Sequence, residues 1–356
     1  MLPGHEPQPS DDAPGDLIEP FDVERQTGVP EAPPPPVGTT PPATLAALAA
    51  QGRRGAAWRL LHWIAEDNQE ALAAIRTFPD RRLLDLLLEW LALGAWADKP
   101  FQVPRAMRQP HFRTQVSTLF LPGAGASEAQ VKAVLCAGLH HSQAAVRETA
   151  AHLLGIVGDP TAAADLAEAL HDPASAVRVQ AAKALGRLRV PGTSAALVGA
   201  LRYHDEALAS QVRQALLQLG AVSVPALVEA APTPDSWVRW HVLRVLGELH
   251  NLRGLRPLVD ALADEDFAVA WMAARALITM DTPVVEEVLR LLLRAPDTPR
   301  LMETAGYVLR AQTRPEMKAL LGPVLQSMHQ TDYRVAVPLA VEGALEQLAA
   351  RGSRSG

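Results

Sequence analysis

The sequence predicts an all-α protein in which helix pairs stack into a right-handed α-α superhelix, a solenoid. Apolar residues make up 48% of the 356 residues but aromatic residues only 4%. Ala and Leu dominate over β-branched types, which favours helix over sheet. Leucines recur at intervals of 30 or 31 residues, and a second apolar series keeps the same spacing. Two series that hold register over several units indicate internal repeats.

The two series define the helices of each repeat. The first comprises Leu135, Leu166, Leu197, Leu227, Leu258, Leu289 and Leu320. The second comprises Val146, Val177, Leu208, Val238 and Val269. Small or apolar residues follow the members of both series four positions later, and such an i, i+4 stripe is one face of a helix. Each unit therefore contains two helices.

About seven two-helix repeats are predicted over residues 127–349, followed by a flexible C-terminus at 350–356. A single unit cannot bury both of its stripes, so neighbouring units must stack and share one core. Pro and Gly residues mark the turns, as Pro173 does in the Asp172-Pro173 pair. The last unit contains Pro338 and lacks the Val-Arg pair of earlier units, which is typical of a capping repeat.

The first part of the chain differs from the repeats. Residues 1–42 contain twelve prolines, eight acidic residues and one basic residue, so we expect a disordered, acidic, Pro-rich tail. Its apolar island, with Leu17, Ile18 and Phe21, is either a short docking motif or part of a tail that only adds solubility. Residues 43–126 contain amphipathic runs without a fixed period. They predict either degenerate repeats or an irregular helical cap over the first regular repeat.

Charge and hydropathy exclude several classes of protein. Outside the tail, 32 basic and 31 acidic residues balance, so long-range attraction to nucleic acid is not expected. No uncharged apolar run reaches the length of a membrane span, and the N-terminus has no signal-peptide pattern, so we expect a cytoplasmic protein. The single cysteine, Cys136, excludes an internal disulfide. We interpret it as a small core residue rather than a metal ligand with His140.

The sequence has no motif typical of catalysis, phosphate binding or metal binding. It contains no Gly-rich phosphate loop, no nucleophile elbow and no metal-spaced histidine pair beside a carboxylate. The only His-Glu pair is His5-Glu6, in the tail. We therefore predict no catalytic residues, no metal site and no cofactor.

Residues 171–201 (HDPASAVRVQAAKALGRLRVPGTSAALVGAL) resemble the HEAT-like repeat of phycobilin lyases. The resemblance covers roughly 127–349 and rests on the Asp172-Pro173 turn and the pairs Val177-Arg178, Ala181-Ala182 and Leu185-Gly186. Other units repeat it with Arg147, Arg239, Gly155 and Gly247, but depart from it at Ala209, Ala270, Leu217 and Ile278. The resemblance implies a HEAT-repeat solenoid whose Val-Arg helix lines the concave side and whose partners are often proteins. Some members of the class attach chromophores.

The candidate binding residues lie on the second helix of each unit. Positions two and six residues after the Val146 series fall about 200° and 240° around the helix, opposite the apolar stripe. On this face lie Trp237, Trp240, Arg244, Trp271, Arg275, Lys183 and Gln214. Tryptophan opposite a buried stripe is unusual unless something covers it, and Trp and Arg are enriched at binding hot spots. We predict one continuous binding patch in which each Arg stacks on its own Trp; the alternative is that the rings are buried internally.

Three functions remain open from the sequence. A non-catalytic protein-binding scaffold or adaptor, which binds its partner on the concave face, fits the neutral body and the absence of chemical motifs. A nucleic-acid-binding protein, such as a HEAT-like DNA glycosylase, would place the same Trp and Arg side chains on bases and backbone, but the body is not basic enough to favour it. A bilin-lyase-type chromophore attachment factor rests on the repeat alone, and a fold does not determine a function.

Overall fold

The computed structural model describes residues 40–65, 68–77, 81–96, 110–121, 126–280, 284–295 and 298–352. Within these ranges every regular element is helical and none is a strand, which confirms the predicted all-α fold. The predicted tail lies almost wholly outside the described residues, as do 353–356 of the predicted C-terminal segment.

Five helices precede the repeats: α1 (Pro42–Ala50), α2 (Arg54–Ala65), α3 (Gln69–Thr77), α4 (Arg81–Trp96) and α5 (Pro110–Ser117). The helices α2, α3 and α4 all contact α1, and α4 also packs against the first repeat. A Cβ atom built on Gly138 of that repeat would lie 2.6 Å from Cδ2 of Leu88. The apolar core is therefore continuous between this region and the repeats.

Seven helix pairs follow, as the period predicts. The first helices are α6 (Glu128–Gly138), α8 (Ala163–Ala169), α10 (Ser194–Gly199), α12 (Val224–Ala230), α14 (Leu255–Asp260), α16 (Val284–Arg294) and α18 (Pro315–Ser327). The second helices are α7 (Ala144–Val157), α9 (Ser175–Leu188), α11 (Glu206–Leu219), α13 (Ser236–Leu249), α15 (Phe267–Thr279), α17 (Pro299–Arg310) and α19 (Tyr333–Gly352).

Both apolar series form the core. All members of the leucine series from Leu135 to Leu320 are buried, and so are all members of the series from Val146 to Val269. Complete burial of one such side chain contributes about 1.5–3 kcal/mol. Since each repeat supplies two such stripes, the stacking of neighbours is the main source of stability.

The arginine of the Val-Arg pair joins adjacent repeats. The Arg239 guanidinium donates two hydrogen bonds to the Asp264 carboxylate of the next repeat, at 2.8 and 2.9 Å, and two more to the carbonyls of Thr233 and Pro234. Arg147 pairs with Asp172 in the same way. Burial would raise the pKa of Asp172, but hydrogen bonds from Arg147 and from the Ala174 amide hold that pKa below its usual range. These arginines are structural.

A different arginine replaces the missing one at Ala270. In three repeats, the guanidinium of the Val-Arg pair donates to the backbone carbonyls six and five residues earlier in the chain. These arginines are Arg147, Arg178 and Arg239. The equivalent carbonyls for position 270 belong to Asp264 and Glu265. Arg300 of the following repeat donates to both of them. The carbonyls of the turn before α15 are therefore satisfied by an arginine of α17 instead of one of α15.

Glycines set the spacing of the second helices. A Cβ on Gly155 would lie 2.8 Å from Cα of Ala184, and a Cβ on Gly186 would lie 2.9 Å from Cα of Ala215. This approach brings α7, α9 and α11 into close contact, and Gly247 does the same for α13 and α15. At the equivalent positions α11 has Leu217 and α15 has Ile278. These larger side chains prevent the same close approach, so the helix pairs α11–α13 and α15–α17 contact each other less extensively. The junctions α11–α13 and α15–α17 are therefore wider than α7–α9, α9–α11 and α13–α15.

The second helices form a row along one side of the array. At most junctions, neighbouring second helices contact each other more extensively than neighbouring first helices do.

Candidate functional site

The first wide junction, between α11 and α13, contains an aromatic cluster. The Asp235 carboxylate caps α13 by accepting from the amides of Trp237 and Val238, which fixes the first turn of the helix. The Trp237 ring stacks on His204 with centroids 5.7 Å apart and contacts His241 at 4.4 Å. The Asp235 carboxylate also bonds the His204 imidazole at 2.7 Å. This bond holds the pKa of Asp235 below its usual range.

His241 lies at the centre of this cluster. Its ring lies between Trp237 and Trp240, with the Trp240 centroid 4.8 Å away. The residue is only 3% exposed, and its Nε2 lies 4.0 Å from a carboxylate oxygen of Glu206. Burial lowers the pKa of His241. The imidazole is therefore held neutral and acts as an aromatic packing group.

Trp240 has the cation–π contact that the sequence predicts. The Arg244 guanidinium lies 5.4 Å from the Trp240 ring centroid. The same guanidinium donates to Glu248 at 3.1 Å, and Arg213 donates to the other Glu248 oxygen at 2.8 Å. Glu248 thus fixes Arg244 in place, but the two arginines share this one carboxylate, so the group keeps one net positive charge beside the planar guanidinium surface.

The second wide junction, between α15 and α17, holds a second cluster. The Trp271 ring contacts Phe267 at 5.9 Å and Tyr307 at 5.0 Å. Phe267 is 60% exposed and Tyr307 is 40% exposed. The cluster lies beside a cleft of about 400 Å³, which also has Met302, Met328 and Tyr333 in its walls. This is an exposed aromatic surface with a depression next to it.

The structure therefore divides the predicted patch in two. In the part of the chain that is described, Trp240 has no ring contact with Trp271, and no guanidinium lies over Trp271. Tyr307 and Phe267 contact the Trp271 ring, while Arg275 is exposed. Lys183 and Gln214 are also exposed. All three lie where the helical wheel expects them, but none belongs to a cluster.

The tryptophan rings are neither fully buried nor fully exposed. Trp237, Trp240 and Trp271 are half-buried, so each ring is partly packed and partly accessible. The indole Nε1 atoms of Trp237 and Trp271 are buried and have no acceptor among the described residues. An unsatisfied buried donor costs about 1–3 kcal/mol. Packing of the rings must offset that cost.

Sequence reasoning missed several residues at the cleft. Tyr307 and Met302 lie in a unit whose second helix starts with Thr298-Pro299 and has no Val-Arg pair. The register of the helical wheel could therefore not be assigned in this unit. Phe267 is at the first position of α15, where the stripe gives no prediction. At the other end of the array, Glu148 is buried although the wheel places it opposite the core. Its helix α7 packs against both α4 and α9.

The surroundings of Cys136 favour its protonated thiol. Its thiol donates to Asp165 at 3.1 Å. Burial and this hydrogen bond raise the pKa of Cys136 to about 12. The residue is half-buried rather than fully in the core. No cluster of three potential metal ligands occurs among the residues that the structure describes, and no helix there is long and apolar enough to cross a membrane.

Comparison with known families settles the class of the repeats. The family model described as HEAT repeats matches residues 132–219, 163–241 and 224–310, which together cover half of the chain. The chain belongs to the HEAT-repeat family. No curated protein sequence matches it. The HEAT-repeat class that the resemblance of residues 171–201 implied is thus confirmed.

Solved structures of similar fold come from several organisms. An archaeal HEAT-like repeats protein from Thermococcus onnurineus NA1 is 13% identical with a TM-score of 0.35, over 74% of this chain and 96% of that chain. The complex of CpcE and CpcF of phycocyanin lyase from Nostoc sp. PCC7120 is 18% identical with a TM-score of 0.31, over 73% and 94%. Human deoxyhypusine hydroxylase is 20% identical with a TM-score of 0.26, over 65% and 96%. Likeness at this level carries no argument about activity.

Proposed function

We propose that this HEAT-repeat protein is a non-catalytic scaffold that binds a partner protein on the face formed by its second helices. The observation that carries the proposal is the exposed aromatic cluster of Phe267, Trp271 and Tyr307 beside the cleft at the α15–α17 junction. Soluble proteins rarely leave such a group of large rings in water unless a partner covers it.

The composition of the surface supports a protein partner. Trp, Tyr and Arg are the residue types most enriched at interface hot spots, and Met and Phe are enriched there as well. Exposed polar residues, namely Lys183, Gln214 and Arg275, lie on the same row of helices. An apolar centre with polar surroundings is the usual anatomy of a protein interface.

The cluster at the α11–α13 junction supplies a second, flatter surface. Trp240 and Arg244 are half-buried, and their cation–π contact is braced by Glu248. Rigid side chains lose little conformational entropy on binding, so this surface is suited to a second contact with the same partner.

Affinity capture with matched variants tests the proposal. The intact protein and the variant Trp271→Ala/Tyr307→Ala are immobilised and exposed to extract of the source cells, and the retained proteins are quantified. The control is Leu252→Ala, which removes a side chain that is 63% exposed in the turn before α14. We expect a partner that the intact protein and the control retain and the double variant loses, with all three proteins still folded. Equal retention by the double variant would contradict the proposal.

A further inference from the structure

The cleft beside Trp271 has an apolar middle. Trp271 of α15, Met302 and Tyr307 of α17, and Met328 and Tyr333 from the last repeat line it. Its volume of about 400 Å³ is within the usual range of ligand pockets. An apolar side chain of a partner would therefore be buried there.

Two opposite charges are placed at the ends of this cleft. Glu303 and Arg310 both line it and both belong to α17. They are seven residues apart, which is about 10 Å along one face of a helix. That distance is too long for them to pair with each other, so the cleft has an acidic end and a basic end.

Neither charge is neutralised within the described part of the chain. The Arg310 guanidinium donates to Nε2 of His329 at 3.0 Å, which is a neutral acceptor in this arrangement. Glu303 is exposed and has no cation within ion-pair distance among the described residues. Both charges are therefore available to a bound segment.

We infer, on the basis of the proposed function, that this cleft binds a segment of a partner protein that carries a large apolar side chain between a basic and an acidic one. The basic side chain pairs with Glu303, the apolar side chain enters among Trp271, Met302 and Tyr307, and the carboxylate pairs with Arg310. Opposite charges at the two ends fix the direction in which the segment lies.

The same charges disfavour a nucleic acid in this cleft. A phosphate backbone needs positive charge along its whole length, and Glu303 would repel it. The Arg310 guanidinium can accept a carboxylate in a bidentate arrangement. A peptide that carries both signs of charge satisfies both ends.

Selection from a random peptide library on phage, with the full chain as target, tests the inference. We expect the enriched peptides to have an apolar residue between a basic and an acidic residue. The double variant Glu303→Gln/Arg310→Gln keeps the net charge but removes the charge at both ends of the cleft. Because two favourable charge contacts are lost, it should bind these peptides up to about ten-fold more weakly and should no longer select flanking charges.

The matched control neutralises the exposed pair Arg256–Asp260 on α14, by Arg256→Gln with Asp260→Asn. It should bind the selected peptides like the intact protein. Tyr307→Ala should also weaken binding of the selected peptides, which would place their binding site in the cleft. Peptides without flanking charges, peptides that bind the Glu303/Arg310 variant as well as the intact protein, or peptides indifferent to Tyr307→Ala would each overturn the inference.

The captured partner distinguishes failure of this inference from failure of the proposed function. If the Glu303/Arg310 variant retains the partner while Trp271→Ala/Tyr307→Ala loses it, the scaffold function stands and the charge assignment is wrong. If both variants retain it, both proposals are wrong.

Discussion

Gly155 of α7 faces Ala184 of α9 so closely that a Cβ on the glycine would lie 2.8 Å from the alanine Cα. Contacts of this kind recur at Gly186 and Gly247. At two junctions the glycine is replaced, by Leu217 in α11 and by Ile278 in α15, and the close contact is lost. The two aromatic clusters lie at these two junctions. The same repeat position therefore determines where the array is tight and where it is open.

The variant Gly155→Ala should lower the stability of the protein. Alanine favours a helix over glycine by up to about 1 kcal/mol, but overpacking against the α9 backbone costs about 1–3 kcal/mol. The matched control is Gly343→Ala in α19, where a new Cβ meets nothing within 4 Å. Melting temperatures of the two variants should move in opposite directions. A rise for Gly155→Ala would contradict the role of close helix approach.

The buried Arg239–Asp264 pair should be among the most sensitive in the chain. The side chains are 9% and 10% exposed, so Asp264→Ala removes the buried partner of Arg239 and leaves only the exposed Glu265, 3.7 Å away. The expected cost is about 3–5 kcal/mol. The exposed pair Arg256–Asp260 is the control, since Asp260→Ala should change stability by about 1 kcal/mol or less. Urea denaturation measures both. Similar losses for the two variants would mean that Arg239 does not join the repeats as described.

Arg300 offers a test by rescue. Since it closes the turn at Asp264 and Glu265 from the next repeat, Arg300→Ala should lower the melting temperature. Adding Ala270→Arg to that variant supplies the arginine that three other repeats have at this position, and should recover part of the loss. In the intact protein Ala270→Arg should not stabilise, because Arg300 already occupies the site. A double variant no more stable than Arg300→Ala would show that the two positions are not equivalent.

His241 should make stability depend on pH. Burial lowers its pKa; Glu206 opposes that effect, and Arg244 and Arg213 add to it. Below about pH 6.5, where an unfolded histidine takes up a proton, the unfolded state binds more protons than the folded state. The stability that is present at higher pH is therefore lost as pH falls towards the lowered pKa.

The variant His241→Phe keeps an aromatic ring between Trp237 and Trp240 but cannot titrate. Melting temperatures of both proteins, measured from about pH 8 to about pH 5, should show the intact protein losing stability relative to the variant. Parallel curves would mean that His241 takes up its proton equally well in the folded state.

The fold followed from the sequence because the repeat period is set by burial. The series from Leu135 to Leu320 is buried throughout, and periodic burial is visible in one sequence. The wheel also placed Trp240, Arg244 and Trp271 on the second helices correctly.

The organisation of the site depends on contacts that the wheel does not contain. The spacing between second helices is decided by pairs such as Gly155–Ala184, and the α15–α17 junction is completed by Tyr307 and Met328 from units that have lost the repeat pattern. The division into two clusters therefore required three-dimensional packing, although Leu217 and Ile278 were visible departures from the repeat.

Amide hydrogen exchange of the full chain, alone and with its captured partner, tests the central claim most directly. Binding on the second helices should slow exchange in α13, α15 and α17 (residues 236–249, 267–279 and 299–310), with little change in the first helices between them. Protection confined to α12, α14 and α16 would place the partner on the opposite face and would contradict the proposed binding surface.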